Sequence, residues 1–515
     1  MLRRIRLART QAFARTQAES ITCGRWLGIY PWPARSFDRE PARRVRYIST
    51  RGEAPPLGFL EATLAGLAQD GGLYVPASFP QLDADTIASF AGRPYAEVAV
   101  EVMRPFIGEE IADYDLARIA REAYGNFRHP AVAPLVQFGV SDFALELFHG
   151  PTLAFKDLAM QFLGRIMDHV LTARGHRATI VVATSGDTGA AAVEAFRGRG
   201  RADLFVLFPR GRISDVQRRM MTTVADGNVQ ALAIEGTFDD CQAIVKGMFN
   251  HREFCDRTSL SGVNSINWAR IVAQVVYYFT AAVALGAPQR KVAFTVPTGN
   301  FGNVYAGYVA LRMGLPIDRL VIATNVNDIL TRTIATGSYD LRDVVATSSP
   351  SMDIQVASNF ERLLFEVYGR DARAVQTLMG NLAQSRRFAL SAKALSGIRA
   401  HFSADRADEN ETAATMRTML RETGQCIDPH TAVGIAVSEK ETRDPSIPMV
   451  VLATAHAAKF PDAVLAACGM RPPLPEWLAD LEERPERVTV LPVDQGAVEK
   501  HILSYSRAAP AGAAA

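Results

Sequence analysis

Residues 179–196 read TIVVATSGDTGAAAVEAF, and the parsing of that stretch decides the fold. Thr179-Ile180-Val181-Val182-Ala183 is a β-branched run of strand length. Residues 184–189 form a loop of small residues, and residues 190–196 are good helix formers. The same order recurs twice. VAFTV (292–296) passes through PTGNFGN (297–303) into an apolar segment at 304–309, and MVVLA (449–453) passes through TAHAAKF (454–460) into 461–464. Apolar strands alternating with helices predict an α/β fold with a parallel sheet buried on both faces. Ligands of such sheets sit beyond the carboxyl ends of the strands, where all three loops fall.

A fourth junction, HGPTLAFKD (149–157), follows a strand-like run at 143–148. Leu158, Met160, Phe162, Leu163, Ile166 and Met167 then recur at helical spacing, with Gly150 and Pro151 supplying the turn. Lys156 stands where that helix begins. It is either a surface lysine lying along apolar neighbours or a reactive amine, its pKa lowered by those neighbours and by the positive helix end. In GNFGN, glycines let backbone N–H groups approach an oxyanion at a helix start, although a plain tight turn reads the same way. The loop has neither Walker nor GxGxxG spacing. TSGDTG adds Ser185, Asp187 and Thr188, with a helix N-cap by Ser185 or Asp187 as its simpler reading. A buried amine with two anion-binding loops fits a phosphorylated aldehyde cofactor. One loop would hold the cofactor phosphate and the other a substrate carboxylate.

Composition bounds the alternatives. The chain has 515 residues, 48% hydrophobic and 21% charged, which suits two or three packed domains of a soluble protein. Its five cysteines (Cys23, Cys241, Cys255, Cys426, Cys468) are odd in number and form no CxxC. That argues against a disulfide framework and a zinc site, and for a reducing, cytoplasmic compartment. The longest apolar run, 271–287, is broken by Gln274 and Thr280 and reads as a buried helix rather than a membrane span. Residues 1–44 contain ten Arg, no Lys, two Glu and one Asp, leaving the body mildly acidic. With no basic stripe in that body, nucleic acid is not an expected partner. The basic head reads as a transit-peptide-like extension or as sequence upstream of a start near Val45, disordered or not native in either case.

Seven motifs bear on the identity: LELFHGPTLAFKD (145–157), ATSGDTG (183–189), NSINWARI (264–271), PTGNFGN, SPSMDIQVASNFERLLFE (349–366), IDPHTAVG (427–434) and LATAHAAKF (452–460). Together with RYISTRG (46–52) and DGGLYVP (70–76), they run co-linearly over about residues 45–475. This series resembles threonine synthase, a family of pyridoxal-phosphate enzymes of the tryptophan-synthase-β fold (fold type II). The resemblance implies parallel-rich sheets flanked by helices in two subdomains, with a helix-rich N-terminal domain at 45–135. The cofactor-binding region would span 136–475, with a smaller subdomain at about 157–265 inserted in the larger one. A C-terminal segment, 476–515, would end in a disordered tail, and residues 360–422 read as mostly helical.

The resemblance also implies roles. Lys156 would be the Schiff-base lysine and proton shuttle. Gly299, Asn300, Phe301 and Asn303 would hold the phosphate of pyridoxal 5'-phosphate, and the Thr454 hydroxyl its pyridine nitrogen. Ser185, Asp187 and Thr188 would form the substrate-carboxylate loop, although many relatives of this fold have asparagine in place of Asp187. Asn267 and Arg270 are candidate substrate contacts, with a structural ion pair the competing reading for Arg270. His149 and His430 are expected as turn or cap residues, Met352 and Phe360 as core. His456 and Lys459 lie near the cofactor by loop position. Ala457 stands where many members have proline. The implied reaction converts O-phospho-L-homoserine and water to L-threonine and phosphate, in a monomer or homodimer with no metal. The alternatives are a phospho-lyase giving 2-oxobutanoate, a serine or threonine dehydratase, and a cofactor-bearing regulatory or binding protein.

Overall fold

The computed structural model describes residues 45–509. The expectations for residues 1–44 and for the end of the tail lie outside the described residues. Two sheets organise the body. The larger has six strands in the order Phe402–Arg406, Ile317–Thr324, Val292–Pro297, Met449–Ala453, Asp142–Glu146 and Leu135–Gln137. All neighbours are parallel except the last pair, which is antiparallel. The smaller has five parallel strands, Thr489–Leu491, Val229–Ile234, Ala202–Pro209, Ala178–Ala183 and Leu260–Ser261.

The strands formed where the β-branched runs predicted them. Ile180, Val181 and Val182 are buried on both faces of the small sheet, and Val450, Val451 and Leu452 on both faces of the large one. Burial on two faces removes the need for polar alternation and explains the continuous apolar runs. Helix Lys156–Ala173 packs on Asp187–Phe196 of the small layer and on Trp268–Ala284 of the large layer, and so joins the two. Trp268–Ala284 is the buried helix expected from the apolar run. Among the described residues no helix is long and apolar enough to cross a membrane.

One expectation needs correction, the bounds of the smaller subdomain. The C-terminal segment is not an appendage of the body. Thr489–Leu491 extends the small sheet as an edge strand, and Val498 and Ile502 of helix Gln495–Tyr505 pack with Cys241, Ile244, Val245 and Met248 in one apolar cluster. The smaller unit thus draws on residues far outside 157–265. Residues 360–422 are mostly helical, as expected, but Phe402–Arg406 is the edge strand of the large sheet and Arg387–Ala389 pairs with Ser338–Asp340. Both strands are short and half-polar, so local pattern could not separate them from loops. The N-terminal part is helix-rich but has no core of its own. Tyr47 packs against Phe59 and against Trp268 of the central helix, with ring centroids 6.1 and 5.9 Å away.

Candidate active site

The loops after strands Asp142–Glu146, Ala178–Ala183, Val292–Pro297 and Met449–Ala453 converge at one place. The backbone N–H of Phe155 donates to the Thr454 carbonyl at 2.9 Å, which ties the lysine loop to the loop after Ala453. Asp157 folds that loop back on itself: Thr152 donates to its carboxylate through N–H and Oγ1, both at 2.7 Å. Burial pushes the Asp157 carboxyl up to about 6, against the pull of those two hydrogen bonds.

Lys156 is the first residue of its helix and is buried. Its Nζ donates to Asp187 Oδ2 at 3.1 Å and lies 4.9 Å from the centre of the Phe155 ring. Burial pushes the Lys156 amine down from the ordinary lysine value. Asp187 opposes that shift, while Lys459 and Arg270 add to it. This is the environment of a reactive amine rather than of a surface lysine.

Asp187 is fully engaged. Its Oδ1 accepts from Gln217 Nε2 at 2.9 Å and pairs with Lys459 Nζ at 2.7 Å. Ser351 Oγ, at 3.3 Å, joins Lys156 on Oδ2. Burial disfavours the Asp187 charge, but Lys156 and Lys459 outweigh it and hold the carboxyl well below the usual range. A carboxylate so placed orders the lysines and does not itself attract a substrate carboxylate. The simple capping reading of TSGDTG also fails, because Gly186 is the N-cap and no side chain bonds there. Instead Thr184 Oγ1 accepts from the N–H groups of Gly186 and Gly189, both at 2.9 Å. Ser185 and Thr188 make no side-chain hydrogen bond within the described residues and keep their hydroxyls available.

GNFGN caps helix Gly302–Arg312, whose first turn carries no acidic residue. Phe301 adopts a left-handed backbone, φ 64°, rare for an aromatic residue. Its buried ring is fixed by Phe360 and Phe402. Asn359 Nδ2 donates to the carbonyls of Asn300 and Ser265, at 3.0 and 3.2 Å, and clamps the loop to NSINWARI. The Tyr277 and Tyr278 hydroxyls donate to Asn303 Oδ1, leaving the buried Nδ2 without an acceptor among the described residues. Thr454 is buried at the end of its strand, and its hydroxyl is likewise unengaged.

Asn267 and Arg270 part company. Asn267 Oδ1 accepts from Ala269 N–H as the N-cap of Trp268–Ala284, and its Nδ2 donates to the Thr63 carbonyl at 2.8 Å. Its amide is committed to structure, which corrects its expected role as a substrate contact. Arg270 is buried with no acidic partner. Nη1 donates to the Val263 carbonyl at 3.1 Å, and Nε has no acceptor among the described residues. Burial pushes the guanidinium down to about 10. The ion-pair reading of Arg270 is therefore not what the structure shows.

Several contributors were not singled out from sequence. Ser351 lies within a quoted motif, but nothing in its spacing marked it. Its N–H donates to His430 Nε2 at 3.2 Å, and His430 Nδ1 faces Asp428 Oδ1 at 2.8 Å. Gln217 gave no signal at all. His149 pairs with Glu146 at 2.7 Å, and His456 caps the turn Ala457–Lys459. Met352 and Phe360 are core, as expected.

Known proteins give the family. The family model described as pyridoxal-phosphate dependent enzyme matches residues 137–454, which span the first three loops and reach Thr454 at the start of the fourth, and that is the class of enzyme the fold defines. Two further models flank or overlap it, threonine synthase N terminus at 46–124 and threonine synthase, C-terminal at 431–502. A threonine synthase from Pseudomonas aeruginosa is 51% identical, covering 90% of this chain and 98% of that protein. The solved structure of a PLP-bound threonine synthase from Brucella melitensis has a TM-score of 0.88 at 61% identity, covering 90% of this chain and 100% of that one. The yeast threonine synthase structure has a TM-score of 0.85 at 40% identity, covering 90% and 98%. The chain belongs to the threonine synthase family.

Proposed function

We propose that this chain converts O-phospho-L-homoserine and water to L-threonine and inorganic phosphate, using pyridoxal phosphate bonded to Lys156. The observation that carries the substrate is Arg270, a buried guanidinium with no acidic partner, close enough to Lys156 to disfavour its charge. An uncompensated buried cation is costly, and a dianionic phosphate on the substrate would relieve it. The residues also fit the cofactor. Asn303 Nδ2 is an orphaned buried donor, and a Cβ on Gly299 would run into the Ser351 carbonyl, so that loop is drawn tight around its backbone N–H groups.

Gly299, Asn300, Phe301 and Asn303 would hold the cofactor phosphate at the helix start, where N–H groups lack intrahelical acceptors. Thr454 would meet the ring nitrogen with a neutral hydroxyl. When bound, the cofactor supplies an electron sink that stabilises negative charge on the substrate carbons. Ser185, Thr188 and the adjacent backbone would hold the substrate carboxylate, and Arg270 the phosphate through charge-assisted hydrogen bonds. Lys156 removes the Cα proton and moves protons at the neighbouring carbons as phosphate leaves Cγ and water adds at Cβ. We place the enzyme in the cytoplasm, as a monomer or homodimer; Cys241, Cys255, Cys426 and Cys468 are all free thiols.

Arg270→Ala tests this reading. Losing a charge-assisted phosphate contact should lower kcat/KM for phosphohomoserine roughly ten- to a hundredfold, with cofactor absorbance retained. Inorganic phosphate should compete with substrate in the wild type and much less in the variant. Undiminished kcat/KM would remove Arg270 from the substrate site.

A further inference from the structure

Lys459 is a second ammonium beside the first, and the reaction as described gives it no task. It is wholly buried. Its Nζ donates to the Thr152 carbonyl at 2.8 Å and pairs with Asp187 Oδ1 at 2.7 Å, while its own carbonyl accepts from Ser214 Oγ at 3.1 Å. It therefore touches the loop that carries Lys156, the loop that carries Asp187, and the start of helix Asp215–Thr222. Burying an ammonium so completely is costly unless it is paired, and its pair is the same carboxylate that Lys156 uses.

We propose that Lys459 is a positioning residue for the reaction: it holds Asp187 by Oδ1, so that only Oδ2 faces Lys156, and keeps the Lys156 amine available as a base. The division of the carboxylate is visible in the distances. Oδ1 serves Lys459 and Gln217, while Oδ2 serves Lys156 and Ser351. Without Lys459, the whole Asp187 charge would act on Lys156 and hold a proton on it. The other groups around the amine act in known senses. Arg270 and Lys459 disfavour its charge, Ser351 Oγ lies 3.5 Å from it while the Ser351 N–H donates to His430, and the neighbouring Asp157 is turned back onto Thr152. The inference rests on the proposed role of Lys156.

The test uses two variants with opposite signs. Lys459→Met should raise the acid limb of kcat against pH by about one unit or more, lowering kcat at neutral pH about tenfold with KM little changed. Asp187→Asn should move that limb downward, and Lys459→Arg should leave it near the wild-type position. A second readout needs no substrate. In the full chain freed of cofactor, the pH dependence of Lys156 labelling by cyanate, followed by peptide mass, should shift up in Lys459→Met and down in Asp187→Asn. Because labelling involves no turnover, it stands even if the chain makes a different product. Where Lys459→Met does not fold, Lys459→Gln, which also removes the charge, takes its place in both readouts with the same expected shift. Midpoints that do not move, or that move in the same direction for Lys459→Met and Asp187→Asn, would reduce Lys459 to a structural ion pair and overturn the inference.

Discussion

The carbonyl of Ser351 occupies the space that a side chain on Gly299 would need. The loop after strand Val292–Pro297 is thus closed from one side by SPSMDI and from the other by Asn359, which holds the Asn300 carbonyl. Gly299→Ala must displace backbone rather than a flexible side chain. We expect at least tenfold weaker pyridoxal-phosphate binding, measured by absorbance titration, with little change in the melting temperature of the cofactor-free protein. Unaltered affinity would mean that the loop does not depend on this close approach.

Asp157 links the lysine loop to pH. Its carboxyl is raised by burial to about 6, above the unfolded value near 3.9. The stability it contributes is therefore fully present below about pH 4 and is lost as pH rises through 6, on the order of 3 kcal/mol in all. Chemical denaturation at pH 4.5 and pH 7 should show that Asp157→Asn loses less stability over this interval than the wild type does. Equal losses would place the carboxyl at an ordinary value.

How far the sequence could be read depended on what each contact rests on. The four loops were legible because local chemistry builds them: β-branched strands, glycine turns and helix starts adjacent in sequence. Lys156 and GNFGN were legible for the same reason. Asn267 misled because an asparagine beside an arginine at a helix start reads equally well as ligand or cap, and only the Thr63 carbonyl, 204 residues away, decides between them. Ser351, Gln217 and the edge strands Phe402–Arg406 and Thr489–Leu491 acquire their roles from partners remote in sequence. No local pattern carries that information.

The C-terminal helix supplies a stability test. Ile502 is fully buried against the small sheet, so Ile502→Ala should cost about 2–5 kcal/mol in urea or guanidinium unfolding. The wild-type kcat should survive at temperatures where the variant remains folded. A cost below about 1 kcal/mol would show that the segment docks only loosely.

The reaction itself is tested most directly by product analysis. Purified protein loaded with pyridoxal phosphate and given O-phospho-L-homoserine should release L-threonine and inorganic phosphate in equal amounts, with negligible 2-oxobutanoate and ammonia. Lys156→Ala should abolish that release while remaining folded. Serine and threonine should not be consumed. Oxobutanoate and ammonia as the main products from phosphohomoserine, or near-normal turnover by Lys156→Ala, would contradict the account.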